Sequence, residues 1–506
     1  MGALAATGGQ WITATKTSAA NANLVSSDWE KQRRKLAHRQ RRIIFNDDGD
    51  ARSDEWYRRS SATYGSDLKS VKDFLARRFD RTIDTQVDSF FWCVGDGQEP
   101  PHGMPAAEVI GDVNRIMLSA ARKAGQEAVF SLRMNDIHDA FGPFTYPFKQ
   151  QNRHVLIDPD GYNGKYTRSD VRHWTWSAMD YAFPEVRQHK LAYISEICEK
   201  YLPDGFELDF FRHNIYFKSG QEKRNIPVMT DFVRQVRHRL DTIGQKHGRP
   251  ILLIARSPDT PQESIELGLD CPTWIKEGLL DVLIIGGGFT PYYTAWTEYR
   301  DLAHQYDVPA YPCYDCSLLY HHFQNIEALQ ALRGAATNYW HHKAEGVYLF
   351  NLYVPVDGGV ISAETAYSSL NHIGNPKSLI GLDKIYCQDY VRDKHLLMGT
   401  ADRPLPMAID DTLRSIPLPV GEDMSKIVAG KQRHCRLFLS ADPSSTELIV
   451  KLNGSDLGHR QVGAEHWQEF EVQSQTVRQG DNDLSVAVRS GEKARLIRTY
   501  LSIMYR

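Results

Sequence analysis

The chain has 506 residues, room for about three domains of about 150 residues each or for one large barrel with an appendage. With 42% apolar and 24% charged residues it has the make-up of a globular protein, which excludes a mostly disordered chain, a collagen-like fibre and a small disulfide scaffold. A net charge of −3 excludes bulk attraction to nucleic acid or an anionic membrane, and no apolar run approaches the length of about 18 residues that a membrane-spanning helix needs.

Residues 1–24 are small, polar and rich in Ala, Gly and Thr, with Ala20-Asn21-Ala22 resembling an export cleavage site. Residues 1–28 are therefore expected to be an export-signal remnant or a disordered tail, and the protein to be secreted or periplasmic. Residues 29–42 (WEKQRRKLAHRQRR) predict a basic helix with a solvated face.

From there the chain alternates between short apolar runs and amphipathic stretches. The runs are Arg42–Phe45, Ser89–Val94, Ala128–Leu132, Gly205–Phe210, Ile251–Ala255, Asp281–Ile285, Ala310–Cys313 and Gly346–Phe350. Stretches such as AAEVIGDVNRIMLSAARKAG and PEVRQHKLAYISEICEKY separate them with helical spacing. Strands alternating with helices predict a parallel sheet, and eight such units predict a (β/α)₈ barrel over residues 29–380. An open doubly wound sheet is the alternative, but strand one runs into Asn46-Asp47-Asp48-Gly49-Asp50, an acidic turn that would repel phosphate. After residue 380 helical periodicity stops. Residues 381–426 are Pro-rich and read as a connecting segment. Residues 427–506 alternate apolar and polar around turn signals such as Asn453-Gly454, which predicts an all-β sandwich domain. The seven scattered cysteines do not form a disulfide framework, and the Cys313–Cys316 pair has no second pair to complete a zinc site. Buried neutral thiols are expected.

In barrel enzymes the chemistry sits at the C-terminal ends of the strands. Here those ends carry Asp47, Asp48 and Asp50 after strand one and Asp96 after strand two. Arg133, Asn135, Asp136, His138 and Asp139 follow strand three. Glu207, Asp209, Arg212 and His213 mark strand four, Arg256 and Ser257 strand five, Asp315 strand seven, and Asn351 and Tyr353 strand eight. Glu207 and Asp209 are two apart and share one face of a strand. Two carboxylates buried together point to paired acid/base chemistry of the kind used in glycoside hydrolysis. The structural alternative is an ion pair of Glu207 with Arg133 or Arg256.

The expected catalytic set is Asp209 and Glu207, with Asp315 and Glu263 as candidates for the second carboxylate and Asp136, Asp139 and Asp48 also in position. The expected substrate-binding set is Asp48, Arg133, Asn135, Asp136, His138, Trp174, Trp176, Arg212, Arg256, Asn351 and Tyr353. Trp174 and Trp176 belong to a long aromatic insertion between strands three and four, whose flat rings suit sugar faces. The arginines and His138, His213, His341 and His342 suit an acidic or sulfated sugar. No cofactor and no metal is assigned, because Asp47, Asp48, Asp136 and Asp209 lack the compact spacing of a calcium loop. A metal-dependent hydrolase and a non-catalytic glycan-binding barrel are the competing readings. A polysaccharide or oligosaccharide is the expected partner, with no nucleic acid and no membrane.

The segments Asn46–Gly49, Arg133–His138, Ser177–Arg187, Gly205–Arg212 and Leu349–Asn351 resemble a glycoside-hydrolase-like barrel family over roughly residues 40–375. That resemblance implies a (β/α)₈ barrel, a C-terminal β-sandwich and hydrolysis of a polysaccharide. Some members resemble endo-fucanases and similar enzymes of sulfated glycans. Strand four is also similar to the α-amylase superfamily pattern Gly-Phe-Arg-x-Asp-x-x-x-His. This implies the nucleophile position for Asp209, with Glu207 standing where the pattern has Arg.

Overall fold

A computed structural model describes residues 28–48, 68–95, 109–140, 146–170, 172–287, 295–316, 323, 325–353, 356, 359–388, 404–458, 460–462, 467–489 and 493–506. The expected leader, Asp50 and Asp96 lie outside the described residues.

Eight parallel strands close into a barrel in sequence order: β1 Ile43–Asp47, β2 Val87–Cys93, β3 Glu127–Arg133, β4 Gly205–Asp209, β5 Leu252–Ser257, β6 Val282–Ile285, β7 Ala310–Asp315 and β8 Val347–Phe350. All eight match an apolar run of the sequence. Both faces of a barrel strand are covered, so the runs are apolar throughout, but the two faces diverge in chemistry. Phe45, Phe90, Trp92, Phe130, Leu132, Phe206 and Leu208 face outward into the helix layer. Ile44, Phe91, Val129, Ile254, Ile284, Cys313, Tyr348 and Phe350 fill the interior. The main crossover helices include Val113–Lys123, Pro184–Tyr201, Ile226–His247 and Asn325–His341.

The N-terminal end of the barrel is closed by an ion pair. Arg41, just before β1, is fully buried. Its Nε donates to Glu127 Oε2 at 2.7 Å and its Nη2 to Glu127 Oε1 at 2.8 Å. Ser89 Oγ donates to the same carboxylate at 2.6 Å. The basic helix at 28–37 presents the solvated face expected, with Glu30, Lys31, Arg34 and Lys35 exposed, and its other face is anchored to the barrel. Arg33 lies 2.8 Å from Asp281 and 3.3 Å from Asp241, and Trp29 Nε1 donates to Asp241 at 3.0 Å. These long side chains bury their stems and neutralise acids under the barrel.

The C-terminal unit is an antiparallel sandwich. One sheet has the order β10 (Met407–Ile409), β18 (Ala494–Tyr505), β12 (Arg433–Asp442), β16 (Gln468–Val472) and β15 (Arg460–Val462), and β9 (Lys384–Gln388) also pairs with β18. The other has the order β11 (Arg414–Val420), β17 (Gly480–Val488), β13 (Leu448–Leu452) and β14 (Ser455–Asp456). Asn453 and Gly454 both take positive φ in the β13–β14 hairpin, as such a two-residue turn requires. The domain begins earlier than residue 427. β9, β10 and β11 lie within the segment read as a connector, where four prolines obscure their alternation. The sandwich packs on the barrel through the helix Asn325–His341. Gly334 allows this approach, since a Cβ there would strike the Ile385 carbonyl. Asn338 Nδ2 donates to the Pro419 carbonyl at 3.2 Å, and its Oδ1 accepts from the Gly421 amide at 2.6 Å.

All seven cysteines are buried and free, as expected. No helix among the described residues is long and apolar enough to cross a membrane.

Glu127→Ala would leave the Arg41 guanidinium buried and unpaired. An unfolding free energy lower by about 3–5 kcal/mol is expected from urea titration, the usual penalty for breaking a buried pair from one side. A loss under about 1 kcal/mol, the range of an exposed pair, would mean that Arg41 is solvated in solution.

Candidate active site at the barrel mouth

Strand register builds the site. Arg133 of β3 lies opposite Asp209 of β4, and Asp209 lies opposite Arg256 of β5. Each is 1% exposed. Asp209 Oδ2 accepts from Arg256 Nη1 at 3.2 Å. Its Oδ1 accepts from the backbone amides of Phe211 at 2.9 Å and Arg212 at 3.0 Å. The Arg256 guanidinium also stacks 4.0 Å from the Phe350 ring centroid. Asp315, at the end of β7 on the interior face, is buried, and its charge adds to that of Asp209 in favouring the Arg256 cation.

Arg133 turns toward β1. Its Nε donates to Asp48 Oδ1 at 2.9 Å and its Nη1 to Asp136 Oδ2 at 2.6 Å. Arg212 Nε is 3.3 Å from Asp48 Oδ2. Asn351 brackets the same residue, donating Nδ2 to Oδ2 at 3.2 Å and accepting the Asp48 amide at 3.0 Å. Burial by itself would raise the Asp48 carboxyl, but Arg133, Arg212 and Asn351 outweigh it and hold it far below the usual carboxylate range. Asp136 shows the same balance. Burial opposes ionisation, and His138 and Arg133 overcome it. His138 Nδ1 lies 2.6 Å from Asp136 Oδ1. Burial, then Arg212 and His138, push His213 well below its ordinary value, so its imidazole is neutral.

Glu207 lies one layer deeper, opposite Ser131 and Ile254, and is wholly buried. Its Oε2 accepts from the Tyr348 hydroxyl at 3.1 Å. Burial and the adjacent Asp209 push its carboxyl up to about 8, so it holds a proton at neutral pH. The ion pair weighed for Glu207 is absent from the described contacts. Arg256 donates to Asp209 instead, and Arg133 to Asp48 and Asp136.

Several expected residues serve the scaffold. Glu263 closes a capping box at the helix Pro261–Glu266, with Glu263 N donating to Thr260 Oγ1 at 3.2 Å and Thr260 N donating to Glu263 Oε2 at 3.2 Å. Asp139 accepts from buried Lys149 at 3.1 Å. Asp47 faces out of the barrel and pairs with Arg78 of the helix Val71–Arg78, because strand alternation separates it from Asn46 and Asp48. Asn135 is a latch. Its Nδ2 donates to the Met179 carbonyl and its Oδ1 accepts the Met179 amide, both at 2.9 Å, tying the long insertion to β3. Trp176 is 5% exposed and packs in the core, with Gly161 against its ring, so its faces serve the insertion. Tyr353 is also buried, with Arg78 stacked 4.0 Å over its ring. Trp174 is half-buried and donates Nε1 to the Arg168 carbonyl at 3.1 Å.

One contributor, Tyr348, escaped the sequence reading. Tyr348 was visible as the interior position two before Phe350. His213 was noted only as a basic group, four residues past Asp209.

No family model and no curated protein matches the sequence. Among solved structures, an α-amylase from Anoxybacillus is 10% identical with a TM-score of 0.39, over 90% of this chain and 99% of that one. A chitinase from Bacteroides thetaiotaomicron is 10% identical with a TM-score of 0.38, over 67% of this chain and 97% of that one. An α-amylase from Geobacillus thermoleovorans, solved with acarbose, is 11% identical with a TM-score of 0.36, over 89% and 99%. Likeness at this level carries no argument about activity. The strand pairing establishes the (β/α)₈ barrel without it.

Glu207 has an ordinary value of 4.5 and is raised to about 8. Between those pH values the folded chain keeps a proton that the unfolded chain has released, so stability falls as pH rises through the window and levels off above it. Glu207→Gln removes this titration. Its Tm relative to the wild type is expected to climb between about pH 5 and pH 8 and then hold, read by thermal melts at each pH. A difference independent of pH would show that Glu207 ionises normally.

Proposed function

We propose that the protein is a glycoside hydrolase that cleaves a polysaccharide, and that the substrate is acidic or sulfated. The observation that carries this reading is the pair of interior carboxylates at the mouth, Asp209 on β4 and Asp315 on β7, with Arg256 between them in charge. Hydrolysis of a glycosidic bond needs two carboxyl groups flanking the anomeric carbon. Asp209, fixed by two backbone amides and a guanidinium, suits the group that faces the anomeric carbon. Asp315 suits the acid/base partner. Glu263 is taken by its helix cap, and Glu207 sits too deep to touch a sugar. Glu207 is better suited to a positioning role: a neutral acid beneath Asp209 avoids a second buried charge. Arg212 and His138 at the rim support an anionic sugar, since a guanidinium meets sulfate or carboxylate with two parallel bonds. We extend the proposal to an exported enzyme, on the Ala-rich leader-like segment.

Reducing-end release across neutral, uronic and sulfated polysaccharides tests the reading. Asp209→Asn and Asp315→Asn are each expected to lower kcat by about 10²–10⁴-fold, the usual contribution of a positioned acid or base, with the fold retained by circular dichroism. Glu263→Gln, which keeps its cap, is expected to stay within about threefold of the wild type, as a substitution away from the reacting groups should. Full activity in Asp209→Asn would remove the mechanism. Glycan binding without turnover by the wild type would favour a non-catalytic binding barrel.

A further inference from the structure

Beside the carboxylate pair, the loops after β3 and β4 gather a second constellation. Asp136 and His138 follow β3 two residues apart, and His213 follows β4. One ligand-capable atom from each lies within 4.8 Å of the other two. The His138 and His213 rings meet edge to face with centroids 4.9 Å apart. His213 is 6% exposed, and its Nδ1 has no hydrogen-bond partner. A buried nitrogen left without a partner is destabilising unless something outside the chain satisfies it. Asp136 is steadied by Arg133 on Oδ2 at 2.6 Å and by the His138 backbone amide on Oδ1 at 2.9 Å, and the same Oδ1 lies 2.6 Å from His138 Nδ1. That is the arrangement of a ligating carboxylate held by an outer partner.

We propose that Asp136, His138 and His213 bind a first-row transition-metal dication of the zinc class at the rim of the barrel mouth. Two imidazoles and one carboxylate form a three-point set that leaves coordination positions open. The donor set excludes calcium and magnesium as preferred occupants, because those ions need six or more oxygens or an octahedral oxygen shell. Arg133 and Arg212 lie beside the site, and Asp48 and Asp136 pair with them, so a dication would not meet those two cations uncompensated. The set shares His138 with the rim proposed to meet an anionic sugar, but it uses neither Asp209 nor Asp315 and does not depend on the hydrolase reading.

The full-length protein, stripped with chelator and exchanged into metal-free buffer, is titrated with Co²⁺ and separately with Zn²⁺. One equivalent is expected to bind, with a Co²⁺ visible spectrum showing nitrogen ligation and a Tm raised by Zn²⁺. His213→Ala is expected to weaken binding by at least about tenfold, and Ca²⁺ or Mg²⁺ to leave the Tm unchanged. Should His213→Ala fail to fold, His138→Ala carries the test, since its side chain is 41% exposed. The proposal is overturned if the wild type binds neither metal stoichiometrically, or if the His138→Ala variant binds as tightly as the wild type. Activity is not a readout, so loss of the hydrolase reading would leave this result intact.

Discussion

Two buried guanidinium groups flank one buried carboxylate across three adjacent strands, and the mouth of the barrel is organised around that row. Parallel pairing sets Arg133, Asp209 and Arg256 side by side on β3, β4 and β5. Three ionisable side chains at 1% exposure would be costly to bury if any stood alone. Each is therefore tied outward to another group. Arg133 reaches Asp48 and Asp136, Asp209 takes two backbone amides, and Arg256 leans on Phe350 and the charge of Asp315. The result is a charge-balanced network whose members fix one another's positions. That rigidity is what a preorganised site requires.

The same residue type takes distinct roles according to its surroundings. Asp48, between two arginines and an asparagine, stays ionised against burial. Glu207, one layer down with a tyrosine hydroxyl for company, keeps its proton. Glu263 caps a helix, and Asp139 holds a buried lysine. None of these assignments follows from the side chain alone. Local dielectric and the nearest cation decide each one.

The remainder of the molecule holds this mouth in place. Arg41 and Glu127 close the opposite end of the barrel, and the basic N-terminal helix neutralises Asp241 and Asp281 beneath it. The sandwich adds a second core and docks on the helix Asn325–His341, where Gly334 and Asn338 set a close approach.

Apolar runs of four to six residues, spaced by amphipathic helices, were enough to place all eight barrel strands, because burial on both faces leaves a nearly continuous apolar run in the sequence. Alternation in the last eighty residues revealed the sandwich for the opposite reason, because its strands bury one face and leave the other toward solvent. The prolines of the 381–426 segment hid three strands that tertiary pairing with β17 and β18 recruits. The ring of polar strand ends was also legible, since chain order puts those residues at one end of a barrel. Which of them face inward was not. Asp47 and Asp48 are neighbours in sequence, yet one pairs with a helix outside and the other with Arg133 inside. Glu263 and Trp176 looked functional by position and proved to be a cap and a core ring. Partnership across strands, and the depth of each layer, arise only when the sheet closes, so the site's electrostatics belong to the tertiary structure.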